Sequence, residues 1–249
     1  MVYLPVAVQL YSVRKDLAEN PLATLKALKS MGYEGVEFAG APAYSPDFYA
    51  ALLKESGLVC CGWHMSPADF SEENFLHTVR LCLTVGATTP VLPWLPAKNL
   101  AEWKEQVQWM NQVAEKLAHY GMRIGYHCHH ADFQPLENGE TPWHLLFQES
   151  SPRVLAQLDT GNAMEAGAKV MEELPRLAGR CRSVHAKPYS LSGGFDPVIG
   201  EDDCPWKDVV DFCRNAQETD WFVVEYESPA LPAMEGVQKC LQGLRKFLA

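Results

Sequence analysis

The sequence has no two cysteines in Cys-x-x-Cys spacing, although it contains eight cysteines. Zinc knuckles and dithiol redox sites need such pairs, so neither kind of site is expected. Scattered cysteines without a disulfide framework are typical of reducing compartments. We therefore expect a cytoplasmic protein.

Long apolar runs are also missing. No stretch approaches the roughly 18 to 20 residues that a membrane-spanning helix requires. The first 13 residues are apolar but lack a basic segment and are interrupted by Pro5 and Gln9, so they are interpreted as a strand and not as a signal peptide. The sequence predicts a soluble protein with no membrane partner.

Positive charge is scarce. The chain carries 21 Lys and Arg against 31 Asp and Glu, which gives a formal net charge of −10. Without a basic cluster there is no surface to neutralise a phosphate backbone, so no nucleic-acid partner is expected. No glycine-rich loop follows the first predicted strand, which argues against a dinucleotide-binding fold.

What the sequence does contain is a regular alternation of short apolar runs and longer amphipathic segments. Its 249 residues, 47% of them hydrophobic, fit one domain of the α/β-barrel class, which commonly has about 250 residues. The predicted strands are Val6–Tyr11, Gly35–Phe38, Leu58–His64, Thr89–Leu92, Arg123–His129, Val154–Leu158, Arg182–His185 and Trp221–Glu225. The predicted helices are Pro21–Met31, Ser45–Ser56, Glu72–Val85, Leu100–Tyr120, Thr141–Gln148, Lys169–Leu177, Trp206–Asn215 and Ala233–Leu248. Eight such units predict a TIM (β/α)8 barrel, a single domain over residues 1–249.

Helix boundary signals agree with this division. Asn20 before Pro21 and Thr141 before Pro142 are typical N-caps, and Ser71 with Asn74 is interpreted as the start of the third helix. Four glycines follow predicted helices where a left-handed residue is favoured, namely Gly32, Gly57, Gly86 and Gly121. The connections from helix to strand are therefore predicted to be short.

The carboxyl ends of barrel strands converge on one mouth, and here they carry ionisable residues. Asp159, His185 and Glu225 end three consecutive predicted strands. Their oxygen and nitrogen donors suit one divalent cation such as Mn²⁺, Mg²⁺, Co²⁺ or Zn²⁺. Any one of these residues alone would more often be a helix cap or a turn residue, so the prediction depends on all three together.

The fifth strand must supply a fourth ligand, and the sequence leaves its identity open. His127 and His129 share one face of the strand, and Asp132 lies in the loop just after it. We assign Asp132 to the metal and to catalysis, His129 to catalysis and His127 to substrate binding. A histidine buried inside the barrel is the alternative for His127.

Four further residues are candidate substrate contacts. Lys187 follows His185 by two and should point into the barrel, where it would contact substrate or a metal-ligating carboxylate, unless it only forms an ion pair. Glu37 and His64 end the second and third strands, where a contact with other barrel residues is an equally good interpretation. Arg14, after the first strand, could also meet a ligand.

Six segments give the chain a resemblance to a known family: VQLYSVR (Val8–Arg14), GYEGVE (Gly32–Glu37), YHCH (Tyr126–His129), LDTGN (Leu158–Asn162), VHAK (Val184–Lys187) and WFVVE (Trp221–Glu225). In this order and spacing they resemble the xylose-isomerase-like barrel superfamily of sugar and sugar phosphate isomerases and epimerases. The resemblance implies a TIM-like barrel with one divalent metal bound at the ends of strands five to eight.

The chain departs from the family pattern at two places. Many members of the nearest subgroup have His-Asn-His followed by Glu on strand five, where this chain has Cys128 and Asp132. Many also carry His where this chain has Asn162, which we assign to substrate binding. Both departures bear on the fourth ligand and on the substrate.

The resulting hypothesis is a metal-dependent isomerase or epimerase of an uncharged or weakly charged monosaccharide or keto-polyol. A carboxylate at the metal, Glu225 or a strand-five acid, would abstract a proton from the carbon beside a carbonyl. Asp132, Glu37 or His64 would be its proton-transfer partner on the opposite face of the substrate. Dehydration of a keto-polyol is the close alternative. An endonuclease-type phosphodiester hydrolase, which would need several metals and a basic face, and a non-catalytic sugar-binding barrel are alternatives of other classes. The sequence leaves open whether the protein forms a homo-oligomer.

Overall fold

A computed structural model describes residues 2–216 and 219–249. Within these residues eight parallel strands form a closed barrel in which each strand pairs with its sequence neighbours and the last pairs with the first. The strands are β1 Val6–Gln9, β2 Gly35–Ala39, β3 Val59–His64, β4 Pro90–Leu92, β5 Ile124–His127, β6 Val154–Asp159, β7 Cys181–Ala186 and β8 Trp221–Val224. The predicted TIM barrel is confirmed.

Helices cover the outside of the barrel. They are α1 Arg14–Glu19, α2 Pro21–Met31, α3 Pro46–Ser56, α4 Phe75–Val85, α5 Leu100–Ala118, α6 Pro142–Glu149, α7 Thr160–Glu165, α8 Val170–Arg176, α9 Trp206–Ala216 and α10 Ala233–Leu248. Short 3-10 helices follow β1, β3 and β5 at Leu10–Val13, Pro67–Phe70 and His130–Phe133. None of the helices in the described residues is long and apolar enough to cross a membrane.

The predicted caps are confirmed at four glycines and two polar residues. The glycines that end α2, α3 and α4 and the one that follows α5 have φ angles of +108°, +72°, +84° and +70°. Asn20 and Thr141 accept hydrogen bonds from the backbone of Ala23 and His144. The prediction at Ser71 was wrong, because α4 begins three residues later than expected, after Asn74, and Ser71 belongs to the preceding turn.

Three strands end earlier than predicted. β8 is one residue shorter than expected, and the changes in β1 and β5 shape the site. β1 stops at Gln9 because the Gln9 side chain accepts a hydrogen bond from the Tyr11 backbone and starts a 3-10 turn. β5 stops at His127, so His129 lies on the following turn and not on the strand.

The inside of the barrel is polar at the level where the strands end. Gln9, Glu37, His127, Gln157 and His185 are each no more than 1% exposed. Branched apolar side chains usually fill such barrels, and buried polar groups are tolerated only when they bond to one another or to a ligand. The apolar core lies instead between the strands and the surrounding helices, so this polar layer marks the part of the fold that is shaped for a site.

Candidate metal centre

Four buried side chains bring one potential ligand atom each into a single group. His127, Asp159, His185 and Glu225 come from the ends of β5 to β8, and their ligand atoms all lie within 4.8 Å of one another. Asp159 and His185 are direct register partners on β6 and β7, which places them side by side. The three strand ends predicted to meet, at 159, 185 and 225, therefore do meet, and the fourth member of the group is His127.

Asp159 is the member whose surroundings call for a cation. Its Oδ1 accepts a hydrogen bond of 2.7 Å from the backbone N–H of Asn162 and so caps α7. Its Oδ2 is buried without a hydrogen-bond partner and lies 4.0 Å from Nε2 of His127 and 3.8 Å from Nδ1 of His185. An unpartnered buried carboxylate oxygen is costly, and burial accordingly raises the pKa of Asp159 to about 7 despite the nearby charge of Lys187. A divalent ion at this point would satisfy the oxygen.

His185 lies between two carboxylates. Its Nδ1 is 2.6 Å from Oε2 of Glu225, and its Nε2 is 2.6 Å from Oε2 of Glu37. Burial opposes a charge on the ring, but the two carboxylates accept hydrogen bonds from it and raise the pKa of His185 to about 10. Nδ1 of His185 is thus the ring nitrogen that faces the candidate ligands Asp159 and Glu225.

Glu225 is held in its ionised form. Burial would raise its pKa, yet the charge of Lys187 and the hydrogen bond from His185 hold the pKa of this carboxyl well below its usual value. Nζ of Lys187 lies 3.0 Å from Oε1 of Glu225 and 2.8 Å from Oε2 of Glu227. Of the roles predicted for Lys187, contact with a carboxylate of the candidate metal group is the one this geometry favours.

The structure does not bring Asp132 into the group. Its two oxygens accept hydrogen bonds from the Tyr126 hydroxyl at 2.8 Å and from the His129 backbone at 2.7 Å. Because β5 ends at His127 and the chain turns, the Asp132 carboxylate closes that turn and His127 takes the strand-five position at the group. This geometry favours His127 over the predicted Asp132 as the strand-five ligand.

Glu37 and His64 differ in their access to the mouth. Glu37 is buried beneath the group, where it accepts hydrogen bonds from protein side chains and lines no part of the mouth cavity. Burial would raise its pKa, but the charges and hydrogen bonds of His64 and His185 lower it well below the usual value. His64 does reach the cavity, and its Nε2 is also 2.7 Å from Oε1 of Gln157.

Arg14 and Asn162 lie outside the cavity lining. Arg14 is exposed at the start of α1, with its guanidinium 4.1 Å above the Tyr11 ring and a hydrogen bond to the Tyr11 carbonyl. Asn162 is buried in α7 and donates to the carbonyl oxygen of Cys128 at 3.0 Å. Their contacts are with the protein, so the structure does not favour the predicted substrate contacts.

A cavity of about 600 Å³ opens above the group at the barrel mouth. Its polar lining residues are Gln9, Tyr11, His64, Ser66, His127, His129, Glu225 and Glu227. Tyr11 and Trp94 are each about half exposed at its rim. In the described part of the chain no lysine or arginine lines this cavity. The cavity therefore has a mixed polar and aromatic lining that includes Glu225 and His127.

Three residues in or beneath this cavity, Glu227, Gln9 and Gln157, were not assigned a role from the sequence. Glu227 follows Glu225 by two, the spacing that puts two side chains on one face of an extended chain, and this signal was available. Gln9 and Gln157 are inside strands that could be read only as apolar runs. Their roles depend on the register that sets Gln9 beside Glu37 and Gln157 beside His127.

Comparison with known proteins agrees with this fold. Residues 25–247 match the family described as the xylose isomerase-like TIM barrel, and the chain belongs to that family. No curated protein matches the sequence.

Several solved structures have the same fold at low sequence identity. A sugar phosphate isomerase/epimerase from Parabacteroides distasonis is 19% identical with a TM-score of 0.86, over 100% of this chain and 96% of that one. An L-ribulose 3-epimerase is 14% identical with a TM-score of 0.72, over 98% and 95% of the two chains. A probable 3-DHS dehydratase from Bacillus anthracis is 16% identical with a TM-score of 0.75, over 97% and 99%. At these identities the likeness concerns the fold.

Proposed function

We propose that the protein is a divalent-metal-dependent isomerase or epimerase that moves a proton next to the carbonyl group of a monosaccharide or keto-polyol. The observation that carries the proposal is the unpartnered Oδ2 of Asp159, buried among His127, His185 and Glu225 at the floor of an open cavity. Membership of the xylose isomerase-like family supports it. So does the fold shared with a sugar phosphate isomerase/epimerase and an L-ribulose 3-epimerase.

The donor set fits a transition-metal dication. Two imidazole nitrogens and two carboxylate oxygens suit Mn²⁺, Co²⁺ or Zn²⁺ better than Mg²⁺, which prefers an all-oxygen shell. Two ionised carboxylates would also balance the charge of the ion. When bound, such an ion would polarise the substrate carbonyl and stabilise the negative charge that forms after proton removal.

Proton transfer needs two groups that face the substrate from different sides. Glu225 lies just after β8 at the cavity, and Lys187 and His185 keep it in the ionised form that can accept a proton. His129 lines the cavity after β5, three strands away around the barrel, and burial lowers its pKa, which favours the neutral ring that can accept a proton. We assign Glu225 as the base and His129 as its partner, and we no longer assign Asp132 to catalysis because its oxygens bond to the protein.

The cavity lining favours an uncharged polyol. Tyr11 and Trp94 offer aromatic faces to the C–H groups of a sugar ring, and His64 and Ser66 offer polar contacts to hydroxyl groups.

Solvent isotope exchange tests the reaction. Metal-loaded protein incubated with a panel of ketoses and aldoses in D₂O should place deuterium on the carbon next to the carbonyl of its substrate, read by NMR or mass spectrometry. Glu225→Gln should suppress this exchange strongly, because an amide cannot accept the proton. Asp132→Asn is the matched control and should retain it.

Other outcomes of the same experiment would contradict the proposal. Conversion without solvent label would indicate an intramolecular hydride shift. A product that has lost water relative to the substrate would indicate a dehydratase. Unchanged exchange in Glu225→Gln would show that another residue is the base.

A further inference from the structure

A buried network lies directly beneath the four candidate ligands. We propose that two of its members, Glu37 and Gln157, are positioning residues that determine which ring nitrogen of His185 and of His127 is free to bind the ion. We call this pair the Glu37–Gln157 relay. The inference rests on the metal centre of the proposed function and goes beyond it, because neither residue contacts the ion position or the cavity.

Glu37 sets the orientation of His185. An ionised carboxylate accepts hydrogen bonds and donates none. Oε2 of Glu37 lies 2.6 Å from Nε2 of His185, so this ring nitrogen must carry the hydrogen. Nδ1 is then the nitrogen that faces Asp159 and Glu225, and it is available to a metal.

Glu37 also sets the orientation of the Gln157 amide. Nε2 of Gln157 lies 2.9 Å from Oε1 of Glu37, and only an NH₂ group can face an acceptor at that distance. Oε1 of Gln157 must therefore point the other way, toward Nδ1 of His127 at 3.0 Å. His127 donates through Nδ1, which leaves the lone pair of Nε2 directed at Asp159.

The structure holds the Glu37 carboxylate from two neighbouring strands. On β1, Nε2 of Gln9 donates to Oε2 at 2.9 Å, while the Gln9 oxygen is occupied by the Tyr11 backbone. On β3, the register partner of Glu37 is Gly62, and a Cβ at that position would collide with Oε1. The missing side chain at Gly62 is what leaves room for the relay.

A second grouping of histidines belongs to this network. His64, His127 and His185 also bring ring nitrogens within 4.8 Å of one another. One ring nitrogen of each of these histidines already faces Glu37 or Gln157 at a hydrogen-bond distance of 2.6–3.0 Å. This grouping therefore forms the floor of the metal centre and needs no ion of its own.

The first test is Glu37→Gln. The new amide places an NH₂ group opposite the NH₂ group of Gln157, so that two donors face each other. The Gln157 amide must then rotate by half a turn to present its oxygen. Its own NH₂ would then face Nδ1 of His127, and the His127 hydrogen would move to Nε2, toward the ion. Loss of such an outer hydrogen bond typically lowers metal affinity by about 10- to 100-fold. We expect a loss of that size, with altered Co²⁺ absorption bands, when the purified protein is titrated with Co²⁺ and with Zn²⁺.

The decisive test is the exchange of the two groups in Glu37→Gln/Gln157→Glu. The amide now at position 37 would donate to the carboxylate now at position 157 and accept from His185. That carboxylate would also accept from His127, so every donor again meets an acceptor. We expect Gln157→Glu alone to weaken Co²⁺ binding and the double variant to recover most of the affinity and the wild-type spectrum. Loss of packing or stability would not produce such recovery. Glu173→Gln is the control, because it alters a buried carboxylate 2.9 Å from His144 on the outer helices.

The outcomes separate the relay from the metal centre itself. If the wild-type protein binds no Co²⁺ or Zn²⁺, the proposed function fails. If the wild type binds but Glu37→Gln binds equally well, or the double variant binds no better than the single ones, the relay is refuted. Should Glu37→Gln fail to fold, Gln157→Glu and the double variant decide by the same comparison, and a double variant that also fails to fold or to bind refutes the relay.

Discussion

Asp132 and Asp159 show how two buried aspartates in one barrel mouth take different roles. Both oxygens of Asp132 have protein donors, whereas one oxygen of Asp159 has none. A carboxylate that is fully bonded to the protein closes a turn. A carboxylate with a bare buried oxygen beside two imidazoles is suited to a cation.

The ionisation of Asp132 predicts a pH effect on stability. Burial raises the pKa of Asp132 to about 6, above its unfolded value of about 3.9. The folded state then binds more protons between these values, so the contribution of Asp132 to stability falls as the pH rises from about 4 to 6, by up to about 3 kcal/mol. Asp132→Asn keeps an acceptor for the His129 backbone and removes the titration.

Urea unfolding of both proteins with chelator present, from pH 4 to pH 8, measures this. The free energy of unfolding of Asp132→Asn relative to the wild type should increase up to about pH 6 and then stay constant. A wild type that gains stability relative to the variant over that range would contradict the sign of the shift.

At the scale of single residues, three of the four candidate ligands could be predicted from the sequence. Asp159, His185 and Glu225 stand at the ends of apolar runs, and strand ends in a barrel must converge. The fourth could not be chosen among His127, His129 and Asp132, because the residue that reaches the group depends on where β5 ends. That end depends on pairing with β6, which no local pattern reveals.

At the scale of elements, the contact between α7 and β7 positions the site. α7 begins directly after Asp159, which caps it. Gly161 lets the helix approach β7 so closely that a Cβ there would lie 2.9 Å from both Cγ and the carbonyl oxygen of Lys187. The short distance holds Lys187 over Glu225.

Gly161→Ala should therefore destabilise the protein, although alanine favours helices by about 1 kcal/mol over glycine. Overpacking of this kind typically costs about 1–3 kcal/mol. Thermal or urea unfolding measures the change. A variant as stable as the wild type would show that α7 is not packed against Lys187 as described.

The helix α7 was not predicted, and the reason is local. Gly161 comes two residues after Asp159, a pattern that is more typical of a turn than of a helix start. The eight longer helices and all eight strands were predictable, because each has a clear hydrophobic period and most have a glycine or proline at a boundary. Strand lengths were overestimated where side chains such as Gln9 bond to the backbone and end the strand.

At the scale of the whole molecule, the barrel brings the candidate metal ligands together at the carboxyl ends of its strands. Its closed parallel order brings β5 to β8 together, and four consecutive strands then provide four candidate ligands. The polar interior beneath them, around Glu37 and Gln157, connects the same strands to β1 and β2. The account therefore depends on one statement, that this group binds a single divalent ion through His127, Asp159, His185 and Glu225.

Metal stoichiometry in three proteins tests that statement most directly. Equilibrium dialysis against Zn²⁺ or Mn²⁺, followed by elemental analysis, would compare the wild type with Asp159→Asn and Asp132→Asn. Asparagine at 159 keeps the oxygen that caps α7 and replaces the unpartnered oxygen by NH₂, so this variant should fold, gain stability in chelator and lose the ion. We expect one ion per chain in the wild type and in Asp132→Asn, and none in Asp159→Asn. Wild-type stoichiometry in Asp159→Asn, or loss of the ion only in Asp132→Asn, would contradict the account.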